Sequence, residues 1–370
     1  MKIGINKIVD YYNYGNRLQN YALQQVLTDM GHEVKTIKNY YQRKNYTSYS
    51  KFNKVIFKIK KENFVANIKN RGINRKRKQK FIDFTKKNIY ETEYLINENT
   101  SDKDLKNIGN NFDVFIIGSD QVWNYSFQRF SELDFITYST KPKISYAASF
   151  GVSTIEEKFK ELYRSGLIGI DYISVREKEG NKIIRDLIGE NVPVVLDPTM
   201  LLSVDKWRKL TQTSKLNIQY NYVVTYFLGE LTPEYLTYIK NYAQKEDLKV
   251  IHLGNRKDKE LWMIDPADFI NLIYNSRGVF TDSFHACVFS IIFEKYFEVF
   301  ERQSNMLSMN SRINTLLKDF KLENRWNYLA SGSKHEIDYG AVRKVLDKRI
   351  KESFEFLESS LNKVQSSNNK

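Results

Sequence analysis

Short apolar runs alternate with helical stretches from the first residues onward. Lys2–Ile8 is a run suited to a buried strand. After Tyr14–Asn16, the apolar residues Leu18, Ala22, Leu23, Val26 and Leu27 recur on one side of a helix running from Leu18 to Met30. Gly31 stands where a helix is closed by a residue that takes positive φ at no steric cost, and Glu33–Ile37 resumes as a strand. The rhythm then breaks. Between about Tyr40 and Leu105 the chain is polar, basic and helical or irregular, which reads as an insertion. Strands return at Asp113–Ile117, Lys143–Ala147 and Tyr172–Val175, followed by a helix at Glu177–Leu187 and a strand at Pro193–Leu196 stopped by Asp197-Pro198-Thr199.

A second series begins after Leu202. Its pattern predicts helices over Val204–Leu210, Pro233–Gln244, Ala267–Asn275 and Phe284–Phe293, and strands over Tyr222–Phe227, Lys249–Leu253, Gly278–Thr281 and Tyr296–Phe300. An amphipathic helix over roughly Tyr339–Leu361 follows, and QSSNNK reads as a frayed tail. Short apolar strands separated by helices imply parallel sheets covered on both faces. The expected fold is therefore α/β, with two Rossmann-like doubly wound domains facing a cleft. The expected division is 1–200, carrying the basic insertion at about 40–105, then 201–338, then the helix and tail at 339–370. Ligands of such sheets lie beyond the carboxyl ends of the strands, so candidate chemistry is sought there.

Composition narrows the possibilities. Hydrophobic residues at 41%, with 25 Tyr and 23 Phe, are enough for folded cores and exclude wholesale disorder. One cysteine excludes a disulfide framework or a thiolate zinc site within the chain, and no acidic or histidine cluster has ligand spacing, so no metal and no cofactor are expected. Much of the net charge of +14 sits between Lys51 and Lys87, in KFNKVIFKIKK and NRKRKQKF. Solvated helix faces explain such runs without a partner. A nucleic-acid partner is not expected, since neither an RRM signature nor zinc-finger spacing occurs. Phe and Ile interleave with the lysines in Phe52–Phe57 and Phe64–Ile68, which leaves peripheral contact with an anionic membrane open. With no apolar leader and no stretch approaching 18 apolar residues, the expected location is cytoplasmic, including the inner membrane face.

Four strand ends carry the candidate chemistry. Tyr14-Gly15-Asn16 precedes a helix, and Asn16 is either a cap or a residue that binds an acceptor. Neither a G-x-G-x-x-G fingerprint nor a P-loop is present. Gly118-Ser119-Asp120 ends an apolar strand; Asp120 is placed to deprotonate or bind a hydroxyl, Ser119 to bind beside it, and Trp123 either to stack on a sugar or to fill the core. Arg176 leaves a buried strand with a fork suited to carboxylate or phosphate. Thr281-Asp282-Ser283-Phe284-His285 is the most informative of the four. Among the four histidines, His285 combines a strand end with hydroxyl and carboxylate neighbours and is the best proton-transfer candidate. Cys287 reads as a small buried hydrophobe.

Taken in order, YNYGNRLQNYALQQVL, FDVFIIGSDQVWN, ISYAASFG, ISVREKEG, VVLDPTMLL and FTDSFHACVFSIIF resemble the polysaccharide pyruvyl transferase family across about Lys2 to Leu317. The resemblance implies a GT-B-like pair of domains. It also implies transfer of the pyruvyl unit of phosphoenolpyruvate to a sugar of a cell-surface polysaccharide precursor, usually as a ketal, with the acceptor a glycan or a lipid- or nucleotide-linked sugar. It places Arg176 and His285 at the phosphoenolpyruvate site, with Ser283 and Phe284 beside them. Many members have Arg where this chain has Ser283. Arg302 and Arg312, flanking Ser304–Ser311, are candidates to replace that guanidinium, with Arg312 placed at the donor. Two alternatives differ in partner: a GT-B glycosyltransferase using a nucleotide sugar, with Glu294 or Glu298 on the ribose, and a basic scaffold binding through Lys51–Lys87.

Overall fold

The computed structural model describes residues 1–43, 71–302, 311–327 and 336–368. Two all-parallel sheets organise them. The first has six strands: β1 (Lys2–Asn6), β2 (Glu33–Asn39), β3 (Glu91–Ile96), β4 (Val114–Ile117), β5 (Lys143–Ala148) and β6 (Tyr172–Val175). Their spatial order is β3-β2-β1-β4-β5-β6, the doubly wound order that reverses direction at β1. Ile3 of β1 pairs with Val34 on one side and Val114 on the other. The strand residues feed two core layers by alternation: Val114 and Ile116 pack with Leu18 and Leu23 of α1 (Tyr14–Asp29), while Phe115 and Ile117 pack with Trp123 and Phe135 on the opposite face. The second sheet has four strands, numbered here β7 (Tyr222–Tyr226), β8 (Lys249–Leu253), β9 (Gly278–Thr281) and β10 (Tyr296–Val299), in the order β10-β9-β7-β8. This is the expected pair of Rossmann-like domains.

The stretch read as an insertion needs correcting. Of it, residues 44–70 lie outside the described residues, and with them Phe52–Phe57 and Phe64–Ile68. Residues 71–105 rejoin the fold. α2 (Arg71–Asn88) buries Arg77, Phe81 and Phe84, and β3 pairs with β2 as the edge strand of the first sheet. Both elements were hidden because each buries only a narrow stripe. β3 is ETEYLI with just Thr92 and Ile96 fully buried, and α2 has eight Lys and Arg around its apolar positions in a run that reads as solvated.

The domains are held together by residues from the first turn of α1. Tyr14 stacks on Phe269 with ring centroids 4.7 Å apart and meets Tyr226 edge-on at 5.8 Å. Arg77 lies over the Tyr14 and Trp262 rings and donates to Tyr14 Oη (2.8 Å), the Trp262 carbonyl (2.6 Å) and the Tyr12 carbonyl (3.1 Å). A 30-residue helix, Tyr339–Asn368, runs seven residues past the expected end at Leu361. It packs Val342, Leu357, Leu361 and Val364 into the same core as α1 and the second sheet, and Ser353 Oγ accepts from Leu196 N at 3.0 Å. Among the described residues, no helix is long and apolar enough to cross a membrane.

Candidate active site

Residues from both domains converge at the carboxyl ends of β4, β6 and β9. Asp120 follows β4 at φ 65, a left-handed conformation that a non-glycine residue adopts at some cost. Its Oδ2 accepts from Asn16 Nδ2 at 3.0 Å, and its Oδ1 lies 3.8 Å from Arg176 Nη2. Arg176 leaves β6 and donates through Nη1 to Asp197 Oδ2 at 2.7 Å. Its Nε lies 3.9 Å from Glu177 Oε2, and neither Nε nor Nη2 has a hydrogen-bond partner among the described residues. Glu177 is itself held by Ser149 Oγ (2.8 Å) and Phe150 N (3.2 Å).

The second domain supplies the other wall. Thr281 ends β9, Ser283 stands at the N-cap position of α3 (Phe284–Ile292) without a side-chain capping bond, and His285 falls in that helix's first turn. His285 Nε2 lies 3.6 Å from Asp197 Oδ2, across the domain boundary. The other edge of its ring rests on Gly15, where a Cβ would stand 2.1 Å from Nδ1 and 2.3 Å from Cγ. Gly15 is glycine because the imidazole occupies the space of a side chain. Phe284 lies under two guanidiniums, with Arg176 Cζ 4.7 Å and Arg312 Cζ 5.9 Å from its centroid. Arg302 is committed elsewhere: it donates to the Asp282 carbonyl (2.9 Å) and carboxylate (3.3 Å). Asp282 in turn accepts from Leu228 N and Gly229 N, fixing the loop after β7.

Burial and charge act against each other here. For Asp120, burial raises the carboxyl pKa, but Arg176, His285 and the Asn16 hydrogen bond together outweigh it and bring the value to about 2. Asp197 is likewise buried yet held well below the usual carboxylate range, by His285, Arg176 and the Thr199 hydroxyl. Burial, reinforced by repulsion from Arg176, lowers Arg312 to about 10. Glu177 is raised by burial in spite of Arg176. The site is thus a cluster of carboxylates and guanidiniums shielded from water, with one imidazole between the domains.

Of the residues singled out from sequence, Asp120, Arg176, Phe284, His285 and Arg312 meet, with Ser283 beside them. Trp123 does not. It is fully buried, stacked on Phe135 at 5.7 Å and packed on Phe150 at 5.2 Å, and it cannot present a face to a sugar without unfolding that cluster. Asn16 is neither the cap nor free to bind an acceptor: Asn13 caps the helix, and the buried Asn16 amide is spent on Ile8 O, Asp120, Asp10 N and Arg17. Ser119 is also fully buried, donating to Asp197 Oδ2 at 3.3 Å and accepting from Asp120 N at 2.8 Å. Both residues shape the site from behind. Glu298 is buried and held by Tyr238, Tyr296 and Asn327, so it does not offer the carboxylate a ribose needs, while Glu294 makes an exposed pair with Arg343. Asp197 was missed as a site residue; Asp before Pro reads as a turn signal, and its partners lie 21 and 88 positions away. Among the described residues, no group of three His, Cys, Asp or Glu is placed to hold a metal.

Solved structures with a similar arrangement include UDP-GlcNAc 2-epimerase from Neisseria meningitidis bound to UDP-GlcNAc, at 10% identity and TM-score 0.46, covering 95% of this chain and 100% of that one. Another is the glycotransferase of kitacinnamycin, at 12% identity and TM-score 0.49, covering 97% and 99%. A third is UDP-GlcNAc 2-epimerase from Methanocaldococcus jannaschii, at 10% identity and TM-score 0.46, covering 94% of this chain and 92% of that one. No curated protein matches the sequence. The family model for polysaccharide pyruvyl transferase matches residues 13–304, a span that runs from the Asn13 cap past Asp120, Arg176 and Asp197 to His285. The chain belongs to the polysaccharide pyruvyl transferase family.

Proposed function

We propose that this enzyme transfers the pyruvyl group of phosphoenolpyruvate to a sugar of a cell-surface polysaccharide precursor, forming a ketal across two hydroxyls. The supporting observation is the pair of guanidiniums, Arg176 and Arg312, both over the ring of Phe284, the residue before His285. Phosphoenolpyruvate brings a carboxylate and a phosphate, and two buried forks suit two planar or tetrahedral anions better than one. Arg312 stands in for the arginine that Ser283 replaces, while Arg302 supports the Asp282 turn.

In the proposed reaction His285, as imidazolium, gives a proton to the methylene carbon of the donor, and C2 becomes an oxocarbenium centre. A sugar oxygen bonds to C2 and its proton passes to the vacated imidazole. A second hydroxyl then attacks C2 as the C–O bond to phosphate breaks with its electron pair, and the second hydroxyl proton leaves on the phosphate. Arg176 and Arg312 stabilise the departing anion in a site with little water. Phosphoenolpyruvate acts as a substrate and no cofactor enters this scheme. The acceptor class proposed is a glycan or a lipid- or nucleotide-linked sugar.

The test is incubation of the protein with phosphoenolpyruvate and a panel of such acceptors, with phosphate release and acceptor mass as readouts. Acceptor-dependent phosphate release, with one ketal-linked pyruvate gained and the signal lost in His285→Ala, is expected. Turnover of a nucleotide sugar with no use of phosphoenolpyruvate would overturn the proposal.

A further inference from the structure

The two nitrogens of His285 have different surroundings. Nε2 is sealed inside the protein, has no hydrogen-bond partner within bonding distance, and faces Asp197 Oδ2 at 3.6 Å. Nδ1 rests against Gly15, whose missing side chain gives the ring its place, and unlike Nε2 it is not sealed from solvent. Asp197 is rigid. It is 1% exposed, its Oδ1 accepts from Thr199 N (3.0 Å) and Thr199 Oγ1 (2.7 Å), and its Oδ2 accepts from Arg176 Nη1 (2.7 Å) and Ser119 Oγ (3.3 Å). A carboxylate in that position is an acceptor with no proton to offer. The hydrogen bond made by one imidazole nitrogen decides which tautomer the ring adopts.

We propose that His285 exchanges its proton with substrate through Nδ1, and that Asp197, whose carboxylate faces Nε2 and favours a proton there, is the positioning residue that fixes the ring in this orientation. The inference rests on the pyruvyl-transfer reading of the same site. The same carboxylate holds Arg176, which follows β6, and faces His285, which comes from the second domain. It therefore sets the proton donor and the donor-binding guanidinium against each other across the cleft. The charged groups around the ring are the carboxylates of Asp197 and Asp120 and the guanidiniums of Arg176 and Arg312, with uncharged Gly15 on the α1 side. The balance is simple: the Nδ1–H bond breaks as the new C–H bond forms on the donor, the neutral ring keeps Nε2–H against Asp197, and Nδ1 is reprotonated by the attacking sugar hydroxyl.

Two measurements test it. The first needs no substrate. The chain has only four histidines, so nitrogen-15 NMR of the wild-type protein, with His285→Gln to assign the resonance, reads the tautomer directly. The neutral ring is expected to carry its proton on Nε2; a neutral ring protonated at Nδ1 would overturn the proposal, whatever the enzyme's substrate. The second is Asp197→Asn, which keeps the size of the side chain and its contacts with Thr199 but can turn an N–H toward Nε2. Reversing the tautomer is expected to lower kcat about a hundredfold. The alkaline limb of the pH profile should move about one unit to lower pH, as expected when a neighbouring charge is removed. Phosphoenolpyruvate KM should rise as well, because the N–H that faces Nε2 also faces Arg176 Nη1, so kcat and its pH profile are the readouts for His285. A variant that loses donor affinity but keeps kcat and its pH profile would assign Asp197 to Arg176 alone and overturn the role at His285. If the tautomer is as proposed but phosphoenolpyruvate is not used, the transfer reaction fails and the orientation of His285 stands.

Discussion

Replacing Gly15 with alanine tests whether the imidazole position matters. A Cβ there would meet His285 Nδ1 at 2.1 Å, Cγ at 2.3 Å and Cε1 at 2.8 Å. Ordinary contacts between such atoms begin near ~3.4 Å, so the ring or the first turn of α1 must give by roughly 1 Å. The ring has no easy retreat, since Phe284 stands against it at 5.3 Å and Asp197 is behind it. A displacement of that size at a reacting group costs about a hundredfold in rate. Stability should change little by comparison. The overpacking costs about 1–3 kcal/mol, and Ala over Gly in a helix returns up to about 1 kcal/mol. The assay is initial-rate phosphate release beside thermal melting, for Gly15→Ala, His285→Ala and the double variant. Gly15→Ala should lose most of kcat, and adding it to His285→Ala should cost almost nothing more, because the clash is with the ring that is already gone. A Gly15→Ala enzyme within about threefold of wild type would refute the reasoning.

Further expectations concern stability and the corrected assignments. Asp120 has a folded-state pKa near 2, below the ordinary carboxylate value, so its contribution is complete above about pH 4 and is lost as pH falls toward 2. Asp120→Asn should therefore cost about 2 kcal/mol by urea denaturation at pH 7 and progressively less at pH 3, whereas a pH-independent gap would contradict the charge assignment. Arg77→Ala should destabilise by about 2–4 kcal/mol, because it leaves the Tyr12 and Trp262 carbonyls and the Tyr14 hydroxyl without their donor at the domain junction. A change under about 0.5 kcal/mol would show that junction to be solvated. Trp123→Phe should lower the melting temperature yet leave acceptor and donor KM unchanged; a selective rise in acceptor KM would return Trp123 to the binding site.

The strand–helix alternation was legible because parallel strands buried on both faces give short continuous apolar runs, as in Val114–Ile117 and Gly278–Thr281. His285 was legible for the same reason: a clear strand followed by a polar turn points to one end of a sheet. Elements that rely on tertiary contacts were not. α1 begins at Tyr14 rather than Leu18, since Tyr14, Gly15 and Asn16 are buried by the facing domain and the Asp120 loop rather than by an apolar stripe of their own. Arg77 sits in a run of Lys and Arg, and nothing local separates the buried guanidinium from its exposed neighbours. Asp197 and Lys7 were missed likewise. Lys7 follows β1, is fully buried, and donates to the Asn16 carbonyl at 3.3 Å, with burial and then Arg17 holding its pKa well below the usual lysine value. Such residues acquire their meaning from partners far away in sequence.

Calorimetric titration of phosphoenolpyruvate into the wild-type protein, Arg176→Ala and Arg312→Ala, with uridine diphosphate titrated in parallel, is the most direct measurement. Two guanidiniums over Phe284 predict that phosphoenolpyruvate binds the wild type, and that each substitution weakens it by at least about tenfold, the loss of a charge-assisted contact. Uridine diphosphate should bind more weakly than phosphoenolpyruvate. No heat from phosphoenolpyruvate, with tight uridine diphosphate binding indifferent to both arginines, would contradict the donor site described here.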